Sequence, residues 1–152
     1  MKPGSPVIVS ACLLGVTCRY DGTSNLHQPL VEFLHREKLI PIPVCPEQLG
    51  GLSTPRPKAW FTRGDGQEFL DGKAQLIDEL GRDAGPAFLR GAEETLKIAQ
   101  SCQCSAAILK QRSPSCGSNQ IHRNGQLVEG RGITCALLEK EGLIVSDEEQ
   151  FK

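Results

Sequence analysis

Three cysteines sit just past short apolar runs, and residues that turn the chain flank each one. Val7-Ile8-Val9-Ser10-Ala11 leads into Cys12, Ile40-Pro41-Ile42-Pro43-Val44 into Cys45, and Ala106-Ala107-Ile108-Leu109 into a turn that ends at Cys116. If those runs are neighbouring parallel strands, all three thiols arrive at one edge of one sheet. In open α/β sheets that carboxyl edge is where ligands bind. Three thiolates meeting in such a crevice point to a metal or iron–sulfur site.

The surroundings of each thiol add chemistry. In Cys45-Pro46-Glu47 the proline directs the chain away from the strand and keeps Glu47 close to the sulfur. A carboxylate there can serve as a general base, or simply favour the start of a helix. Ser113-Pro114-Ser115-Cys116-Gly117 packs two hydroxyls, a thiol and a glycine into five residues. It suits a turn whose N–H groups face an anion, or an ordinary Ser/Pro/Gly turn. Ser115, Lys110 and Arg56 are the candidate substrate-binding residues; for the two cations the competing reading is solvated surface charge.

Other patterns fall away. Cys12 and Cys18 are six apart, with Gly15 between them to permit a tight turn, and this is not zinc-pair spacing. Nor is it the C-x-x-C of a redox dithiol. Cys102-Gln103-Cys104 is a weak signal alone, and His27, His35 and His122 occur in unrelated settings. Cys135 and at least one of Cys102 and Cys104 are expected to be small buried hydrophobes. No phosphate-binding glycine motif is present.

The elements that must position these groups follow from periodicity. Residues 6–12 form a continuous apolar strand, the mark of burial on both faces. A short helix is expected between Leu26 and Leu39, with Pro29 in its first turn. Further strands are expected over 39–45, 73–78, 105–109 and 143–145, and helices over 83–101 and 132–141. Residues 50–66 and 110–124 read as loops. Strands alternating with helices predict one α/β domain over residues 1–152, a mostly parallel sheet with helices on both faces in a Rossmann-like three-layer arrangement.

Composition sets the frame. The 152 residues are 39% hydrophobic and 23% charged, with a net charge of −1, which gives no electrostatic reason to expect nucleic acid. No apolar run approaches the roughly 18 residues of a membrane span. The segment from Met1 lacks a secretory apolar core, so cytoplasm is the expected compartment. Seven cysteines in a reducing compartment favour metal or redox chemistry over disulfides.

Taken together, Ser10-Ala11-Cys12-Leu13-Leu14-Gly15, Cys18-Arg19-Tyr20-Asp21-Gly22, Cys45-Pro46-Glu47, Gly50-Gly51, Thr54-Pro55-Arg56-Pro57, Ile108-Leu109-Lys110 and Ser113-Pro114-Ser115-Cys116-Gly117 resemble the DUF523 family. The resemblance runs from about residue 7 to 146. It implies desulfuration of a thiolated nucleobase, thiouracil to uracil plus hydrosulfide, without net electron transfer. It also implies a [4Fe-4S] cluster held by Cys12, Cys45 and Cys116, with the fourth iron open to the substrate sulfur. Glu47 and Ser113 map onto catalytic positions, and Cys18 is placed beside the cluster. One departure is visible: Lys58-Ala59-Trp60 stands where a Pro-Ala-Glu-like continuation is expected. The alternatives are a small Cys-rich zinc- or cluster-binding module without catalysis, and thiol redox or sulfur-carrier chemistry by Cys12 and Cys18.

Overall fold

The computed structural model describes residues 1–152. In chain order it contains β1 (Pro6–Ser10), α1 (Gln28–Arg36), β2 (Ile40–Val44), α2 (Pro46–Leu49), β3 (Ala59–Arg63), α3 (Gly66–Leu70) and β4 (Gln75–Asp78). Then follow α4 (Gly85–Ser101), β5 (Ala106–Leu109), β6 (Gln120–Arg123), β7 (Gln126–Glu129), α5 (Ile133–Lys140) and β8 (Ile144–Asp147). Short 3₁₀ turns follow β1 at Ala11–Leu14 and β8 at Glu148–Gln150.

The first sheet has the order β2-β1-β5-β8 and is parallel throughout. Its central strand is buried on both sides, as its unbroken apolar run requires. Val7 and Val9 pack with Leu30 and Leu34 of α1, whereas Ile8 points to the opposite face, toward Ala99 of α4 and Leu138 of α5. Full burial of each such aliphatic side chain stabilises by about 1.5–3 kcal/mol. Helices on both faces thus follow from the residue pattern of one strand.

A second sheet extends this architecture. Its order is β4-β3-β6-β7, with antiparallel β3–β4 and β6–β7 pairs joined by a parallel β3–β6 contact. Phe61 and Ile121 of this sheet pack with Phe88 and Ala92 of α4 and Ile133 of α5. Helices α4 and α5 are therefore buried between two sheets. Sequence patterning assigns residues 50–66 and 110–124 to loops, but the structure forms β3 in the first and β6 in the second. Dense Gly and Pro mask the first of these strands. The second is a hairpin whose turn is Asn124-Gly125, both residues at positive φ (51° and 80°), the backbone that a two-residue hairpin loop demands.

Helix α2 starts at the Cys45 end of β2 and packs on α4 at almost backbone-to-backbone distance. A Cβ added at Gly91 would sit 1.9 Å from the Pro46 carbonyl oxygen, and one at Gly50 would sit 2.0 Å from that of Ala87. Only hydrogen fits at either contact. Gly91→Ala should therefore cost about 3 kcal/mol by forcing the two helices apart, overriding alanine's better helix propensity. Urea unfolding checks this through a lowered midpoint with unchanged slope.

Candidate active site

The strand order places β2, β1 and β5 side by side, so their carboxyl ends deliver three loops to one rim. Cys12 lies in the 3₁₀ turn after β1, which Gly15 closes at φ 98°. Cys45 is the residue that caps α2 after β2. Cys116 comes from the loop after β5. All three border one cavity of about 680 Å³, together with Cys18, Asn25, Glu47, Arg56, Lys110 and Ser113. The far wall comes from the second sheet and its approach: Lys58 just before β3, Ala59 and Trp60 at its start, His122 of β6, and Asn124 and Gly125 at the hairpin tip.

Glu47 is held at both oxygens. Oε1 accepts the Ser115 hydroxyl, and Oε2 accepts from the Arg56 guanidinium at 3.1 Å. The Arg56 side chain is only 5% exposed, so this pair is not a screened surface contact. Arg56 also donates to the Cys18 carbonyl (2.8 Å) and to Thr54 Oγ1 (2.9 Å), and its backbone N–H donates to the Tyr20 carbonyl (2.8 Å). One guanidinium thus ties the Cys18 loop and the 53–56 loop to the carboxylate.

Ser115 is fully buried and does not border the cavity. Its hydroxyl is committed to Glu47, so it sits behind the carboxylate where a substrate ligand was expected. Ser113 does border the cavity, and its Oγ accepts the N–H groups of Ser115 and Cys116, both at 3.1 Å. Those N–H groups are therefore satisfied inside the turn instead of facing an anion. The Ser113 hydroxyl hydrogen remains free to donate.

Lys110 borders the cavity with its ammonium paired to Glu148 Oε1 at 2.8 Å. Its neighbour Gln111 is buried and organises the loop. Oε1 accepts from the backbone of Arg112, Asn119 and Gln120, and Nε2 donates to Asp147 and Ser118. The segment that carries Ser113 and Cys116 is thereby fastened to the end of β8. Sequence reading missed Gln111, and no local motif signals a glutamine whose partners run from the next residue's backbone to the Asp147 side chain, 36 residues away.

The seven cysteines are all free thiols. Cys104 and Cys135 lie in the apolar core with Ile8 and Leu138, and Cys102 is exposed, so none of the three joins the cavity. Burial pushes the Cys116 thiol well above its ordinary range. Burial likewise raises Cys12, with the Glu47 charge adding to it. Cys45 is drawn down to about 7, chiefly because the Cys18 thiol donates to it. Buried thiolates need a positive partner, which iron supplies on binding.

The donor set accordingly fits an iron–sulfur cluster. It offers soft thiol ligands, unpaired and half or fully buried, around a cavity far larger than one ion. No group of three or more His, Cys, Asp and Glu side chains is gathered tightly enough for a single metal ion. A cubane instead spreads its ligands, one thiolate to each iron. Five cationic residues, Arg19, Arg56, Lys58, Lys110 and Arg112, border the cavity, and Glu47 is its one carboxylate.

Fold and site together define an α/β protein with a thiol-lined, cation-walled crevice at the carboxyl edge of a parallel sheet. A family model described as 2-thiouracil desulfurase matches residues 7–150, and the chain belongs to that family, DUF523. A solved structure described as the [4Fe-4S]-dependent thiouracil desulfidase TudS superposes with a TM-score of 0.80 at 38% identity, covering 96% of this chain and 92% of that one. The uncharacterized protein YbbK of Bacillus subtilis (strain 168) is 37% identical over 148 residues, 95% of this chain and 97% of its own length. No helix is long and apolar enough to cross a membrane.

Proposed function

We propose that this protein is a [4Fe-4S]-dependent desulfidase that hydrolyses the C=S bond of a thiolated nucleobase, with 2-thiouracil as the reference substrate. Cys12, Cys45 and Cys116 would hold the cluster. The observation that carries this reading is the meeting of three distant thiols and a doubly anchored carboxylate around one cavity. Membership of the 2-thiouracil desulfurase family and likeness to TudS support it.

When bound, such a cluster supplies an iron without a protein ligand, a soft Lewis acid matched to thiocarbonyl sulfur. The chain's own residues do the rest. Glu47, its two oxygens fixed by Ser115 and Arg56, takes a proton from the water that attacks the thiocarbonyl carbon. Ser113, with its free O–H, orients that water or the adjacent ring atom. The C–S bond breaks as the C–O bond forms, giving uracil and hydrosulfide with no net electron transfer. Lys110 and Arg56 offset negative charge in the crevice, and Trp60 with Tyr20 offers flat apolar surface to a planar ring. General-base help of this kind contributes about 10²–10⁴-fold.

Anaerobic incubation with 2-thiouracil is the test. The cluster-loaded protein should release uracil and hydrosulfide in equal amounts, and the metal-stripped protein neither. Release of neither by the loaded protein would refute the proposal. Arg56→Lys keeps the charge but not the planar fork that spans Glu47, Cys18 and Thr54. It should retain the cluster and lower kcat about 10²-fold through a misplaced carboxylate.

A further inference from the structure

Two of the three cavity thiols have an uncharged donor group beside them. Asn25 Nδ2 lies 3.8 Å from Cys12 Sγ, and the same residue's backbone N–H donates to the Cys12 carbonyl at 2.9 Å, so Asn25 grips Cys12 twice. Cys45 Sγ lies 3.6 Å from the Cys18 carbonyl oxygen and both residues border the cavity, which sets the Cys18 thiol beside Cys45.

These contacts survive ionisation of the ligands. As a thiol, Cys45 donates to the Cys18 carbonyl at 3.6 Å. As a thiolate it can only accept, and the Cys18 carbonyl remains satisfied by Arg56. Cys18 is 3% exposed and makes no other side-chain hydrogen bond, so its S–H is left for Cys45. Cys18 also lies outside the three-ligand set proposed above, which leaves it available as a donor.

We infer that Asn25 and Cys18, neutral donors beside Cys12 and Cys45, set the reduction potential of the bound cluster. The inference rests on the cluster-binding reading of this site. A donor aimed at a ligating sulfur withdraws charge from it, favours the reduced cluster and leaves the iron a stronger Lewis acid. Removing a donor lowers the potential without removing a ligand.

The test is spectroelectrochemical titration of reconstituted wild type, Asn25→Ala, Cys18→Ala and Cys18→Ser. Both alanine variants should bind the wild-type amount of iron and sulfide at a lower midpoint potential, and the double variant should lie lower still. Cys18→Ser, which keeps an O–H donor, should move back toward wild type. If Cys18→Ala does not fold, Asn25→Ala decides the matter alone, since Asn25 is only half-buried.

Unchanged potentials in the alanine variants would overturn the inference. So would loss of iron from Cys18→Ala, which would make Cys18 a ligand. A wild-type cluster that fails to desulfurate thiouracil would refute the proposed function and leave the potential comparison standing. A wild type that binds no cluster would refute both.

Discussion

Single replacement of Cys12, Cys45 or Cys116 by serine is expected to abolish cluster assembly and lower desulfuration by at least about 10³-fold, the worth of several kcal/mol of Lewis-acid assistance. On the proposed assignment three ligands arrive from three loops, so the loss of one leaves two, too few to retain the cluster. The effect should be specific. Cys102 is exposed, and Cys104 and Cys135 sit among apolar side chains, so Cys102→Ser, Cys104→Ala and Cys135→Ala should keep cluster colour and rate. Iron and acid-labile sulfide content, measured under anaerobic conditions, separate the two groups. A fully loaded Cys116→Ser protein would contradict the ligand assignment.

Glu47→Gln is expected to behave in the opposite way, keeping the cluster and losing about 10²–10⁴-fold in kcat. Glutamine fills the same space and can still accept from Arg56 or Ser115, but it cannot take up the proton that leaves water. KM should change little, because the wall that would receive the ring comes from Tyr20, Lys58 and Trp60 and not from Glu47. Steady-state kinetics beside an iron assay gives the answer. Wild-type kcat in this variant would end the general-base role, and loss of iron would show that the carboxylate supports the cluster instead.

Much of the site was legible because its groups follow strands with strong patterns. The unbroken apolar run Val7-Ile8-Val9 required burial on both faces, and burial on both faces required a central parallel strand. Cys12 and the carboxyl edge followed from that. Cys45-Pro46-Glu47 was readable for a similar reason, since proline fixes where the chain turns. The Ser113–Gly117 turn was recognised as dense in chemistry, but its internal division was not. Whether a serine oxygen faces the cavity or a neighbouring carboxylate depends on rotamers that composition does not encode, and Ser115 turned inward to Glu47.

Of the second sheet only β4 fell within an expected strand, 73–78; β3 and β6 were less visible because they follow Gly/Pro-rich or polar segments. The Asn124-Gly125 turn was a hairpin signal set among polar residues, without the alternating apolar pattern that strengthens it. The consequence reaches the site. The departing segment Lys58-Ala59-Trp60 leads into β3 and forms part of the cavity wall, where it faces whatever the crevice receives. Lys58 also lies 5.0 Å from the centre of the Tyr20 ring, which joins two loops that are far apart in sequence. Asn25 and Gln111 act through long-range contacts that leave no local trace.

Mössbauer spectroscopy of protein reconstituted with isotopically enriched iron, with and without 2-thiouracil, examines the open coordination position itself. One iron should differ from the other three, and its signal alone should shift when thiouracil is added. Four equivalent irons that ignore the thiouracil would mean that every corner of the cluster is already held by the protein, and the proposed chemistry would have no place to occur.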